Sequence, residues 1–238
     1  MKRAIVIGAT SGIGRGLAEI LVKNGYMVGI TGRRTERLEE FKSQYPEACF
    51  IKTFDIRETD VIAGRLEELI TELGGLDLLV ISSGTGDFSA NLEFKIEKNT
   101  IDTNVSGFTC VADYVFSYFE KQHAGHLVAI TSVAGIRGGR FAPSYNATKA
   151  YQINYLEGLR QRAKHLKTPI YVTDIRPGFV DTAMAKGEGL FWISSVEKAA
   201  GQIFRAIISR RAVAYITKRW SIIGFVLRLL PRFIYDKM

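Results

Sequence analysis

Little in this sequence could cross-link it, bind a metal or span a membrane. It has two cysteines, Cys49 and Cys110, in 238 residues. They make no disulfide framework and lack metal-ligand spacing, so they read as buried or half-buried thiols in a reducing compartment. The three histidines, His123, His126 and His165, fall at expected helix ends or a strand start, and no metal site is expected. Only five prolines occur, and Pro143, Pro169 and Pro177 sit at expected element boundaries. No uninterrupted apolar run reaches the about 18 residues of a membrane helix. The first apolar run is short and leads straight into glycines, so no signal peptide is read there. A cytoplasmic protein is expected, with contact to a membrane surface left open for its tail.

A balanced charge is also missing, but only locally. Of 32 Lys and Arg and 24 Asp and Glu residues, eight basic and one acidic fall in 205–238, leaving 24 against 23 in the rest. The excess belongs to the tail and not to the body. That argues against a nucleic-acid groove, and no nucleic-acid partner is expected.

Short β-branched runs are present at 4–7, 26–31, 49–53, 76–81, 126–131, 169–175 and 212–216. Helical spacing fills 13–24, 35–43, 58–73, 92–121, 145–166 and 195–209. Strands alternating with helices of this length imply βαβ crossovers. The expected fold is α/β: one Rossmann-like domain over 1–238, a doubly wound parallel sheet of about seven strands with helices on both faces. There are no repeats or linkers.

Residues 8–16 read GATSGIGRG, between the first strand and the first helix. Each glycine costs backbone entropy, so close approach to the backbone is needed there. A glycine turn opening a helix cradles phosphate, because N–H groups and the helix N-terminus favour an anion. Gly8, Gly12 and Gly14 carry the turn; Thr10, Ser11 and Ile13 complete the loop and are taken with it. Asp55, after the third strand, could accept a hydrogen bond from an adenine amine or cap the next helix. After the second strand stands Thr31-Gly32-Arg33-Arg34, where an NAD site usually offers a carboxylate. NADP(H) is therefore expected over NAD(H). Arg33 is the 2′-phosphate candidate, and Arg34 is expected to solvate the start of the next helix.

Tyr145 and Lys149 are spaced i, i+4 and share a helix face. An ammonium beside a phenol favours phenolate, lowering a reference pKa of about 10 toward neutrality. Such a tyrosine can pass a proton to a carbonyl oxygen as hydride reaches the carbon. Ser132 lies upstream at a strand's carboxyl end, where open α/β sheets bind ligands.

In this order and spacing the residues resemble the short-chain dehydrogenase/reductase family over almost the whole chain. The glycine motif fits Gly8, Gly12 and Gly14. The family's Asn fits Asn104, its Ser fits Ser132, and its Tyr and Lys fit Tyr145 and Lys149. Its Pro-Gly fits Pro177-Gly178, followed by Val180 and Thr182, which would face the nicotinamide carboxamide. The resemblance implies that Tyr145 is general acid or base and that Lys149 holds the nicotinamide ribose and tunes Tyr145. It implies that Ser132 positions the substrate oxygen and that Asn104 holds a water relaying protons toward Lys149. It also implies a homodimer or homotetramer, with helices near 100–121 and 145–166 paired across a dimer. One departure is Ser82-Ser83-Gly84 in place of Asn-Ala-Gly. Serine ties neighbouring strands less fully, which puts local rigidity in doubt.

The segment 183–194, AMAKGEGLFWIS, follows the Pro-Gly. Met184, Leu190, Phe191 and Trp192 could cover an apolar substrate, and Gly187 and Gly189 suggest a mobile lid. Phe141 and Phe179 could line the same cleft. A lipophilic carbonyl or secondary alcohol is the expected substrate class. The competing reading is a non-catalytic NADP-binding redox sensor or scaffold, against which the joint presence of Ser132, Tyr145 and Lys149 argues. The tail 218–235 is a basic amphipathic segment. Ile222, Ile223, Val226, Leu229 and Leu230 form a stripe flanked by Lys218, Arg219, Arg228 and Arg232. It can pack on the body or on a partner subunit, which is favoured, or lie on an anionic membrane surface.

Overall fold

The computed structural model describes residues 2–87, 89, 91–185 and 191–237. Its strands are β1 (Lys2–Ile7), β2 (Tyr26–Gly32), β3 (Cys49–Thr53), β4 (Leu78–Ile81), β5 (Gly125–Ile130), β6 (Ile170–Pro177) and β7 (Val213–Ile216). They form one parallel sheet in the order β3-β2-β1-β4-β5-β6-β7. β1 lies inside it, with Val6 opposite Ile30 of β2 and Val80 of β4. The helices between the strands are α1 (Gly12–Lys23), α2 (Thr35–Gln44), α3 (Thr59–Leu73), α4 (Phe94–Ile101), α5 (Phe108–Gln122), α6 (Pro143–Leu166) and α7 (Val196–Ile208). The fold is the Rossmann-like doubly wound sheet expected from the alternating runs.

Strand residues point alternately to the two faces. Val6, Val28 and Ile30 pack under α1, α2 and α7 with Leu17, Phe41 and Ile203. Ile5, Ile7 and Leu79 pack under α3, α5 and α6 with Leu66, Phe108 and Leu156. Both faces are dry, which is why the strands read as continuous apolar runs rather than alternating ones. Strand order reverses between β1 and β4, and the carboxyl ends of β1, β4, β5 and β6 meet at that crevice.

Two expectations change in detail. The helix expected over 92–121 is broken by a wide π-type turn, Asp102–Gly107, between α4 and α5. Such turns insert an extra residue into a helix and re-aim its side chains. Gly107 closes the turn against the backbone after β3: a Cβ there would stand 2.3 Å from the Ile56 carbonyl oxygen. The tail forms α8 (Trp220–Leu229) and α9 (Arg232–Tyr235). They are separated at Leu230, which is extended before Pro231 because proline's ring excludes the helical conformation from its predecessor.

Candidate active site

The glycine loop leaves β1 with Gly8 and Ala9 both donating to the Thr31 carbonyl, at 3.0 and 2.9 Å. It is packed too closely for side chains at its key positions. A Cβ on Gly8, whose φ is +85°, would stand 2.6 Å from the Ser83 amide nitrogen, and one on Gly14 2.3 Å from the Gly8 carbonyl oxygen. α1 then begins at Gly12 with its first amides aimed out of the loop and no side-chain cap from Ser11. Such a cradle accepts a pyrophosphate. Thr182 lies against it, its Cγ2 3.2 Å from where a Gly12 Cβ would be. Val180 is buried, and its neighbour Asp181 is pinned by a 2.9 Å hydrogen bond to the Ser194 carbonyl. Gly178 donates to the Ile216 carbonyl.

The two arginines after β2 point in different directions. Arg34 reaches back over the loop: its guanidinium donates to Thr10 Oγ1 at 2.6 Å and to Ser11 Oγ at 2.7 Å. Arg33 points outward, two-thirds exposed, with its guanidinium 3.6 Å from Asp55 Oδ2. Asp55 is taken up by Arg57, whose backbone N–H donates to Oδ1 at 3.0 Å and whose guanidinium donates to both carboxylate oxygens. Burial works against the charge there, but Arg57 holds the Asp55 carboxyl below its usual range. The alternative expected for Asp55, a cap on the next helix, is corrected: α3 is preceded by Glu58 without a side-chain cap, and Asp55 instead closes a local turn by accepting from the Arg57 N–H.

Across the crevice, Ser132 lies two residues beyond β5, before a short turn, and accepts from the Ala134 N–H at 3.1 Å. Tyr145 and Lys149 come from the first turns of α6, which Pro143 opens at a position where no N–H partner is needed. Lys149 is buried, its Nζ 5.9 Å from the centre of the Tyr145 ring. The ammonium donates to the Ile130 carbonyl at 3.0 Å and to Gln152 Oε1 at 2.9 Å. Burial lowers its pKa to about 8, with the Asp174 charge opposing. Burial also raises the Tyr145 phenol above its usual value, against a hydrogen bond with Ser132. This corrects the expectation of a phenol lowered toward neutrality. Desolvation outweighs the neighbouring ammonium, which is turned toward Ile130 and Gln152.

Asn104 sits in the π-type turn, fully buried. Its Oδ1 accepts from the Thr85 N–H at 3.0 Å, and its Nδ2 donates to the Thr85 carbonyl at 2.7 Å and to Thr148 Oγ1 at 3.1 Å. Its backbone carbonyl accepts from Gln152 Nε2 at 2.9 Å. The Gln152 amide thus joins the Asn104 carbonyl to the Lys149 ammonium. Asn104 also bears on the rigidity left open by Ser82-Ser83-Gly84. Ser82 ties to β1 through its backbone, donating to the Ile7 carbonyl at 2.8 Å, and the Asn104 amide clamps Thr85 just beyond. The loop then crosses the Tyr145 ring so closely that a Cβ on Gly86 would stand 2.2 Å from Cδ2.

Three participants escaped sequence reading. Gln152 sits three residues after Lys149, a helical spacing that could have marked it. Asp174, fully buried on β6, accepts from Thr131 Oγ1 at 2.6 Å and pairs with Arg176 at 2.6 Å. Trp220, from the tail, covers Gly178, where a Cβ would stand 2.0 Å from its indole ring. It also stacks on Phe191 at 5.2 Å and meets Phe179 edge-on at 5.3 Å. Phe179, Phe191, Trp192 and Trp220 form one aromatic group beside the Pro-Gly turn. Gly187, Gly189 and Leu190 lie outside the described residues. No group of three or more His, Cys, Asp or Glu among the described residues could hold a metal ion.

A crevice at a sheet's switch point, a glycine cradle on one side and a Ser-Tyr-Lys group on the other, defines a dinucleotide-dependent oxidoreductase class of fold. Residues 2–190 match the short chain dehydrogenase family, and the chain belongs to it. An uncharacterized oxidoreductase of Myxococcus xanthus is 34% identical over 188 residues, covering 77% of this chain and 74% of that one. Among solved structures, serine dehydrogenase from Escherichia coli is 26% identical with a TM-score of 0.78, covering 90% of this chain and 95% of its own. A variant of actinorhodin polyketide ketoreductase, solved with NADPH, shares the fold at a TM-score of 0.80 and 24% identity, covering 90% of this chain and 94% of its own.

Proposed function

We propose that this oxidoreductase interconverts a carbonyl and a secondary alcohol on a lipophilic small molecule, using NADP(H), with Tyr145 moving the proton. The observation that carries the reading is the grouping of Ser132, Tyr145 and buried Lys149 across one crevice from the glycine loop. The cofactor's pyrophosphate would rest on residues 8–14, its ribose near Lys149, and its carboxamide at Val180 and Thr182. Bound there, the nicotinamide supplies or accepts the hydride.

The chain's own residues do the rest. In reduction, Ser132 donates a hydrogen bond to the substrate carbonyl oxygen and fixes it beside Tyr145. The Tyr145 phenol gives its proton to that oxygen as the carbon is reduced; in oxidation the phenolate takes it back. The Lys149 ammonium stabilises the phenolate left behind, and Gln152 holds Lys149 in place.

The preference for NADP(H) rests on Arg33 and Arg34 and on the lack of a carboxylate at the end of β2. A 2′-phosphate there would meet the Arg34 guanidinium already fixed over Thr10 and Ser11. The aromatic group at the Pro-Gly turn, with exposed Met184 and Phe141, supports an apolar substrate. Assembly as a homodimer or homotetramer through α5 and α6 is part of this reading.

The test is consumption of NADPH, beside NADH, over a panel of apolar aldehydes, ketones and diketones, followed by loss of reduced-nicotinamide absorbance. Turnover with NADPH that Tyr145→Phe abolishes supports the reading. Tight NADPH binding with no turnover on any compound transfers weight to a cofactor-binding sensor. A preference for NADH overturns the reading of the arginines.

A further inference from the structure

The tail is apolar on two sides. One side of α8 holds it to the body. Trp220 is 4% exposed over Gly178, and Gly224 packs so closely that a Cβ would stand 2.8 Å from the Tyr215 ring and 2.9 Å from Ile136. Beyond α8, the Tyr235 hydroxyl donates to the Gly138 carbonyl and the Arg137 guanidinium lies over the Tyr235 ring. The tail is therefore seated beside the segment that follows Ser132.

The other side faces solvent. Ile222, Phe225, Val226 and Leu229 follow the i, i+3, i+4, i+7 rule and lie between 49% and 66% exposed; Phe233 of α9 adds to them at 69%. The sequence-level stripe is corrected here: Phe225 belongs to the outer face, while Ile223 and Leu230 turn partly inward. A helix apolar all round belongs in a core or against lipid. This one is half in the core.

Charge decides what covers the outer half. Lys218, Arg219, Arg228 and Arg232 flank it along the chain and are exposed, and the one acid of the tail, Asp236, is already paired with Arg232 at 3.4 Å. A second copy meeting this face about a two-fold axis would press like charges together in a drying interface. An anionic lipid surface would complement them. No helix among the described residues is long and apolar enough to cross a membrane, so contact would be interfacial.

We propose that the outer face of α8 and α9 docks the enzyme on an anionic bilayer, with its apolar side chains at the headgroup boundary and its arginines on the phosphates. Buried Trp220 stacks on exposed Phe191, which meets exposed Trp192, over whose ring Arg219 lies at 5.1 Å. Docking would then bring Phe191 and Trp192, beside the Pro-Gly turn, close to the lipid. That orientation rests on the lipophilic-substrate reading; the docking itself does not.

Flotation of the full chain with vesicles tests it. Wild-type protein should float with phosphatidylcholine vesicles that contain phosphatidylglycerol, and lose that binding in high salt or with phosphatidylcholine alone. Two variants separate the causes: Phe225→Ser with Leu229→Ser removes apolar contact, and Arg228→Glu with Arg232→Glu reverses charge. Each should lower partitioning by about tenfold or more while thermal melting by circular dichroism is retained. The charge pair lies on the exposed surface, so it reports even if the apolar pair misfolds. Wild-type protein that stays out of the lipid fraction overturns the proposal. So does equal flotation of wild type and the charge variant. A wild-type oligomer that stays out of lipid and that the apolar variant dissociates, by light scattering, assigns the face to a second copy instead.

Discussion

The Lys149 ammonium donates to Gln152 Oε1 at 2.9 Å, and the same amide donates on to the Asn104 carbonyl at 2.9 Å. One buried glutamine thus joins the middle of the π-type turn to the lysine beside Tyr145. A neutral acceptor helps keep that ammonium charged in a dry setting.

Gln152→Leu removes this acceptor and leaves the Asn104 carbonyl without its donor. Reduction should slow by roughly ten- to a hundredfold, because a misplaced positioning group costs that much. Its pH profile should also move: the alkaline limb shifts below that of the wild type. Gln152→Glu should shift it upward by placing a carboxylate beside Nζ. Opposite shifts, read from kcat/KM against pH, distinguish positioning of the charge from loss of packing.

In the wild type the alkaline limb should report Lys149. Its pKa is lowered to about 8, whereas Tyr145 is raised. The ammonium is present below about 8 and lost above it, so kcat/KM for reduction should be level at neutral pH and fall through about 8. Lys149→Met should be slow at every pH with no such limb. A limb that persists in Lys149→Met would assign the titration to another group.

Arg34→Ala should weaken NADPH binding by about ten- to a hundredfold and leave NADH nearly unchanged, since a charge-assisted contact to the 2′-phosphate is lost. Arg33→Ala should cost less, because its exposed guanidinium is not fixed over the loop. Fluorescence titration with both nucleotides measures this. Equal weakening for NADH would mean that Arg34 acts by holding the loop.

His126 should set the acid limit of stability. It is buried, with its pKa lowered by burial from 6.5 to about 4. Its Nε2 lies 2.8 Å from Thr173 Oγ1, and that hydroxyl donates to the Arg211 carbonyl, so Nε2 carries the hydrogen. Above 6.5 the ring is neutral folded and unfolded, and costs nothing. As pH falls toward about 4 only the unfolded chain takes the proton, so stability drops by up to about 3 kcal/mol. Denaturant melts across that window should be flatter for His126→Gln.

The order of strands and helices was legible in the sequence, because each crossover leaves its own local period: apolar runs for doubly buried strands, helical spacing for the covers. The glycine loop and the Ser132, Tyr145 and Lys149 positions were legible too, being short patterns set by backbone approach and by one helix face. What needed the tertiary structure were relations between distant segments. Gln152 bridges to Asn104 only because α6 crosses the π-type turn. Arg34 and not Arg33 lies over Thr10 because β2 ends in register beside β1. The tail's outer face, and the burial that raises Tyr145 and lowers Lys149, depend on which surfaces the rest of the chain covers. Such burial is a property of the packed whole, and no local pattern encodes it.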